Sequence, residues 1–175
     1  MSILKDYAAY AEHSGSKLKP LTKTMFYCNV FFRLSSVLYK VRLVPVARIF
    51  WLLNRILFSI DIDPRARLRG GMVILHGAGV VIGRFVTAEG NFKIYQGATL
   101  GGNNGKKRTV NGQTFSQPYL QNNVTIGINA AVLGPVILEN GSSVGANAVV
   151  TKDVPAGAVV VSNNVILAQK SAVEV

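Results

Sequence analysis

Residues 120–150, LQNNVTIGINAAVLGPVILENGSSVGANAVV, place an apolar residue at every sixth position: Leu120, Ile126, Val132, Leu138, Val144 and Val150. The same count runs through Ile62, Leu68, Ile74, Val80, Val86, Phe92 and Ala98. Two residues before each anchor lies a second small or apolar series: Ala66, Met72, Ala78, Val124, Ala130, Val136, Ser142 and Ala148. Its departures are Arg84, Gly90 and Gln96. Two inward residues separated by one outward residue make a very short strand, and the intervening Asn, Gly, Asp and Pro supply turns. Short strands and tight turns at a fixed period of six predict a β-helix of hexapeptide repeats, in which each coil buries its inward residues by stacking on the next. A helix of period 3.6 cannot give this pattern, and a β-sandwich has no reason to keep a six-residue phase.

Outward from the repeats the chain changes character. Residues 25–60 are apolar but punctuated by Arg33, Lys40, Arg42, Arg48 and Arg55, and Pro45 predicts two helices, roughly 25–41 and 45–58. Basic residues seven apart (Arg33 with Lys40, Arg48 with Arg55) give each helix a basic stripe opposite a broad apolar face. Such a pair caps the β-helix, meets another subunit, or lies on an anionic membrane, where Phe50, Trp51 and Phe58 suit the interface. No segment has the uncharged length to span a bilayer. Residues 103–117, NNGKKRTVNGQTFSQ, break the phase and read as a polar loop thrown out from one corner, where function commonly concentrates. The organisation expected is a helical segment 1–60, a β-helix 61–161 and a tail 162–175.

The 175 residues carry a formal charge of +11, which suits an anionic partner such as a phosphorylated cofactor. Cys28 is the only cysteine, so no internal disulfide forms, and nothing at the start reads as a signal peptide. The location expected is cytoplasmic, at the inner face of the membrane. Charge spread along the chain without interleaved aromatics argues against nucleic acid. There are two histidines. His13 lies in the polar arm and reads as an exposed bystander. His76, in ILHGAG, falls at a corner with Gly77 and Gly79 leaving room, where a neutral imidazole can serve as general base. Counting eighteen residues per coil, Asp61 falls one coil below His76 and three residues off, near enough to orient it. Asp63, before Pro64, reads as turn chemistry. A lone histidine in the β-helix disfavours zinc.

These residues, DIDPRARLRGGMVILHGAGVVIG with ATLGG, VTIGINAAVLGPV and SSVGANAVVTKDVPAGAVV, resemble the serine acetyltransferase family of left-handed β-helix acyltransferases. The resemblance runs from about Phe31 to Val160. It implies a homotrimer with acetyl-CoA in clefts between neighbouring prisms and no metal. It puts His76 at the general-base position, Asp61 at its partner carboxylate, Gly102, Ile128 and Ala146 along the pantetheine arm, and Thr151 and Lys152 near the adenosine phosphate end. The departures fall on acceptor-binding positions. Leu75 stands where the serine enzymes carry Asp, and Ser116-Gln117 where they carry Arg-His; the tail reads SNNVI in place of a Gly-Asn-Pro-Ala type motif. Losing those charges removes partners for an ammonium and a carboxylate. The expectation is an acetyl-CoA-dependent O-acetyltransferase acting on a sugar or polysaccharide-precursor hydroxyl. The alternatives are serine acetylation, or a trimeric scaffold without chemistry.

Overall fold

A computed structural model describes residues 2–110 and 112–162. Three helices, α1 (Ser2–Ser14), α2 (Thr24–Lys40) and α3 (Val44–Phe58), precede a left-handed parallel β-helix with three faces. Face A stacks β1 (Asp61–Ile62), β4 (Val81–Ile82), β7 (Thr99–Gly101), β12 (Ala131–Leu133) and β15 (Val149–Val150). Face B stacks β2 (Arg67–Leu68), β5 (Thr87–Ala88), β10 (Tyr119–Leu120) and β13 (Ile137–Leu138). Face C stacks β3 (Met72–Leu75), β6 (Phe92–Tyr95), β11 (Val124–Ile126), β14 (Ser143–Val144) and β16 (Val159–Val160). The remaining pair, β8 (Arg108–Val110) and β9 (Gln113–Phe115), forms a hairpin within the extruded loop. The predicted tail motif lies outside the described residues from position 163 onward.

The inward residues form columns. Ile62, Ile82, Leu100, Val132 and Val150 stack behind face A, and Ile74, Ile94, Ile126 and Val144 behind face C, all buried. Each fully buried aliphatic side chain of this kind contributes about 1.5–3 kcal/mol. Along the edge between faces B and C an asparagine ladder ties the coils: the N–H groups of Gly71, Asn91 and Asn122 donate to the side-chain oxygens of Asn91, Asn122 and Asn140 at 2.7, 2.8 and 3.0 Å.

One part of the sequence phase is corrected. Asp61 pairs with Val81 and Leu68 with Ala88, so the first coil takes twenty residues, whereas Val81 to Thr99 takes eighteen. The two extra residues sit in the turn 76–80 between β3 and β4, where the next coil needs only 96–98. From there to the loop the inward pairs are Val80/Ile82, Val86/Ala88, Phe92/Ile94 and Ala98/Leu100, all buried. Arg84, Gly90 and Gln96 therefore broke the second series because the count had slipped by two, and Ala78, expected inward, is exposed.

At the starting end the first coil has no coil below it, and its free backbone groups would be orphaned. Side chains from α1 and α2 take them up. Asp6 accepts from Met72 N–H at 2.8 Å, Asn29 donates to Met72 C=O at 2.6 Å, and the Tyr10 hydroxyl meets both Ile74 N–H at 3.0 Å and Ile74 C=O at 3.1 Å. Arg33 donates to the carbonyls of Leu68 and Gly70 and makes two 2.8 Å bonds to Asp6. Arg33 is thus buried and does not belong to the exposed basic stripe read from its spacing. Burial pushes the Asp6 carboxyl above its ordinary range against the pull of Arg33. The three aromatics read as interfacial are half-buried and engaged with other residues of the chain. Phe31 packs against Phe50 and Phe58 with ring centroids 5.8 and 5.9 Å away, and the Trp51 indole N–H donates to Asp61 at 2.8 Å.

Replacing Asp6 with Ala leaves a buried guanidinium unpaired and should cost roughly 3–5 kcal/mol, whereas the double change Asp6→Leu with Arg33→Met should recover most of that. Urea midpoints at one protein concentration measure both. Cys28 is fully buried in the core and burial pushes its thiol up to about 12. It should resist alkylation at pH 8 in the native protein and react once denaturant opens the fold.

Candidate active site

The edge between faces C and A carries the candidate general base. Ile94 pairs with Ile126 and Ile126 with Val144, and Gly97 N–H donates to Ala78 C=O, Asn129 N–H to Gln96 C=O and Asn147 N–H to Ile128 C=O. Ala78, Gln96, Ile128 and Ala146 therefore form a single column, and His76 precedes it by two residues, directly after β3. In the regular coils the next residue makes the corner in the left-handed region: Gly97 at φ 70°, Asn129 at 53° and Asn147 at 57°. Glycine and asparagine tolerate this conformation best. The first coil differs. His76 itself has φ 63°, followed by Gly77 at 58° and Gly79 at 75°. A histidine held left-handed is costly backbone, and such strain concentrates at functional positions. The longer turn is the cause, and it leaves the imidazole exposed at the margin of a cavity.

That turn is locked from both sides. Gly79 N–H donates to Ser59 C=O and Gly97 N–H to Ala78 C=O, both at 2.8 Å. A Cβ on Gly77 would lie 2.0 Å from Met25 Sδ and 2.9 Å from Ile60 Cδ1. Met25 on α2 and Ile60 beyond α3 therefore fix the corner that carries His76.

Asp61 sits at the start of β1, two residues after the Ser59 that supports the turn. With the coil at twenty residues it lies level with Val81, five residues past His76, which corrects the three-residue offset counted from sequence. Its carboxylate accepts from Trp51 and lies 3.8 Å from Arg55, whose guanidinium stacks on the Trp51 ring. Among the described residues the His76 imidazole makes no hydrogen bond, with Asp61 or any other group. Asp63 makes the turn expected of it: its carboxylate takes the Arg65 N–H and guanidinium at 2.9 Å. Burial opposes its charge, but those bonds and the charges of Arg65 and Arg84 hold it below the usual carboxylate range.

The cavity beside His76, about 400 Å³, is bounded by α1, the turn that follows it and β3. His13, Lys19, Lys23, Thr24 and Leu75 line it, and no carboxylate does. His13 is exposed as expected, yet it shares this cavity with His76. Leu75 also packs against the apolar cluster of α1 and α2.

The other cofactor and acceptor candidates, Gly102, Ser116, Gln117, Thr151 and Lys152, lie on the edge between faces A and B. Face A separates them from His76 within one chain. Gly102 and Lys152 occupy one column, with Gly134 between them. No packing demands glycine at 102: a Cβ there would meet its nearest neighbour at 3.7 Å, and its φ is ordinary. Its bare backbone is room for a ligand, and with the exposed Lys152 in the same column the edge suits a thin, phosphate-bearing chain. Gln117 is partly committed, because its side-chain oxygen accepts Phe85 N–H at 2.9 Å and pins the returning loop. Arg108, in the extruded loop, holds both oxygens of Asp153 at 2.7 Å and ties the hairpin to the same edge. Gln96 was missed from sequence, where it counted only as a departure. It stands between Ala78 and Ile128 in the corner column, with its side-chain oxygen buried and unpartnered among the described residues. Among those residues no group of three or more candidate metal ligands occurs.

Residues 118–152 match the bacterial transferase hexapeptide family (six repeats). A serine acetyltransferase of Helicobacter pylori strain 26695 is 37% identical over 132 residues, covering 75% of this chain and 74% of that protein. One from Synechococcus elongatus is 39% identical over 139 residues, 78% of this chain and 53% of that protein, so this chain spans about half its length. The crystal structure of Neisseria gonorrhoeae serine acetyltransferase in complex with serine superposes with a TM-score of 0.80 at 29% identity, covering 92% of this chain and 65% of that one. A serine acetyltransferase in complex with CoA gives 0.78 at 25% identity, over 90% and 64% of the two chains.

Gly77→Ala forces a side chain into Met25 and into a left-handed backbone, which alone costs about 1–2 kcal/mol. It should lower the thermal midpoint modestly and depress catalytic rate disproportionately, measured by thermal unfolding beside a CoA-release assay.

Proposed function

The chain belongs to the serine acetyltransferase family of hexapeptide-repeat acyltransferases, and from that membership we propose that it is an acetyl-CoA-dependent O-acetyltransferase whose first acceptor to consider is L-serine. The observation that carries the enzymatic reading is His76, held left-handed on a strained, buttressed turn two residues before the column of Ala78, Gln96, Ile128 and Ala146. A scaffold without chemistry has no use for that strain.

In the proposed reaction His76 accepts the proton of the acceptor hydroxyl as its oxygen attacks the thioester carbonyl. Backbone N–H groups at the site meet the tetrahedral oxyanion. Collapse breaks the carbon–sulfur bond, and His76 returns the proton to the departing thiolate, giving the acetyl ester and free CoA. The Asp61 carboxylate, one coil below on the same edge, favours the transient imidazolium by charge, while Trp51 and Arg55 hold it in place. A homotrimer is part of the proposal: His76 and the Gly102–Lys152 column flank face A on opposite edges, so neighbouring copies can bring one of each together. Action in the cytoplasm belongs to the same reading.

A second acceptor class is favoured by one observation. The cavity beside His76 offers Lys19, Lys23 and His13 but no carboxylate, and Leu75 lines it. An amino-acid ammonium finds no counter-charge there, whereas the anionic group of a charged sugar or polysaccharide precursor would. The similar proteins reported above are serine acetyltransferases, so this glycan acceptor, expected from Leu75, Ser116 and Gln117, now stands second to serine.

CoA release with free L-serine and with anionic sugar precursors separates the two. Efficient turnover of serine supports the first reading; poor serine turnover with rapid acetylation of a sugar, weakened by Lys19→Glu and Lys23→Glu, supports the second. Absence of CoA binding would leave only the scaffold. His76→Ala should lower turnover by roughly 10²–10⁴ while CoA still binds, and near-normal turnover would remove His76 from the mechanism. Asp61→Asn should lose less and shift the pH dependence of the rate.

A further inference from the structure

The helical pair α2–α3 turns one side to the prism and leaves the other bare. Val37, Val41, Ile49, Leu52 and Ile56 are 50–66% exposed, and their spacings of three and four place them on one side of each helix. Exposed aliphatic patches of this extent mark an interaction surface. Beside them Lys40, Arg42 and Arg48 are exposed, and none is within ion-pair distance of a carboxylate among the described residues. A second feature adjoins the same face. Between α2 and the first coil opens a groove of about 720 Å³, lined by Val37 and by Lys5, Lys40, Arg65, Arg67 and Arg69. Asp63 pairs with Arg65 and Glu89 with Arg69, which leaves Lys5, Lys40 and Arg67 without a carboxylate.

We propose that this face docks on a bilayer containing anionic phospholipid, with the aliphatic side chains entering the acyl boundary and the groove cations meeting headgroup phosphates. Neither helix is long and apolar enough to cross a membrane, so the pair lies in the interface plane. The exposed part of the contact is aliphatic, since Phe50 and Phe58 pack on Phe31 and the Trp51 indole is tied to Asp61, leaving all three only partly exposed. Charge decides between lipid and a second copy of the chain. An isologous contact through this face would set the same cations against themselves, on a chain of net charge +11, whereas an anionic surface neutralises them. Docking here brings the first coil, and with it the His76 turn, to the membrane side of the prism.

Cosedimentation of the full chain with phosphatidylcholine vesicles, with and without phosphatidylglycerol, tests this. Binding should be at least about tenfold stronger with phosphatidylglycerol and should fall as salt rises. The double variant Leu52→Ser with Ile56→Ser keeps every charge and should lose about tenfold or more in binding. Lys40→Gln with Arg48→Gln should lose binding and flatten its salt dependence. Both should keep the wild-type thermal midpoint and CoA release. Three results would each overturn the proposal: no binding by the intact chain; unchanged binding by the serine variant, which marks mere adsorption of a basic protein; or a larger assembly in solution that the serine variant splits, which marks a face covered by another copy.

Discussion

A stack of parallel coils solves its hydrogen bonding everywhere except at its ends, and the starting end of this prism is closed by four side chains. Asp6, Tyr10, Asn29 and Arg33 take the backbone groups of Leu68, Gly70, Met72 and Ile74 that a preceding coil would have paired. This makes the helices integral to the β-helix. Their position against β3 and β1 places Met25 against Gly77 and Trp51 against Asp61, so the closure of the end also sets the geometry of the candidate site.

The fold was legible because one constraint repeats. Every inward position must be apolar, and eighteen residues return the chain to the same face, so Leu120 to Val150 declare the solenoid without help from any other residue. The two-residue slip at residues 76–80 was also written in the sequence. Arg84, Gly90 and Gln96 are polar or small where the unshifted count wanted apolar residues, and moving the count by two restores a full set. A phase read strictly at six has no room for a local insertion, and for that reason the relation of Asp61 to His76 was misjudged.

The candidate site was legible only in part. His76, Ile128 and Ala146 were legible through the family resemblance, and the register puts Ile128 and Ala146 in one column. The Asp6–Arg33 pair was not, because it joins residues far apart in sequence by packing that no periodicity encodes. Arg33, spaced like an exposed stripe, spends its charge inside. Gln117, placed at an acceptor position by the resemblance, is used by the structure to hold the loop down, as is Arg108. Residue type announces what a side chain can bind; only the fold decides what reaches it first.

The lengthened turn at His76 makes the candidate general base a local variable in an otherwise periodic object. The coil above keeps its register, because the extra residues are absorbed within one corner and hydrogen-bonded to Ser59 below and Gly97 above. Evolution can therefore lengthen, shorten or re-aim that corner without re-specifying the solenoid, much as a tooth can be recut on a gear whose pitch is unchanged. New acceptors are then reached by editing one bend and the helices that brace it, while the coils carrying the candidate cofactor edge stay as they are.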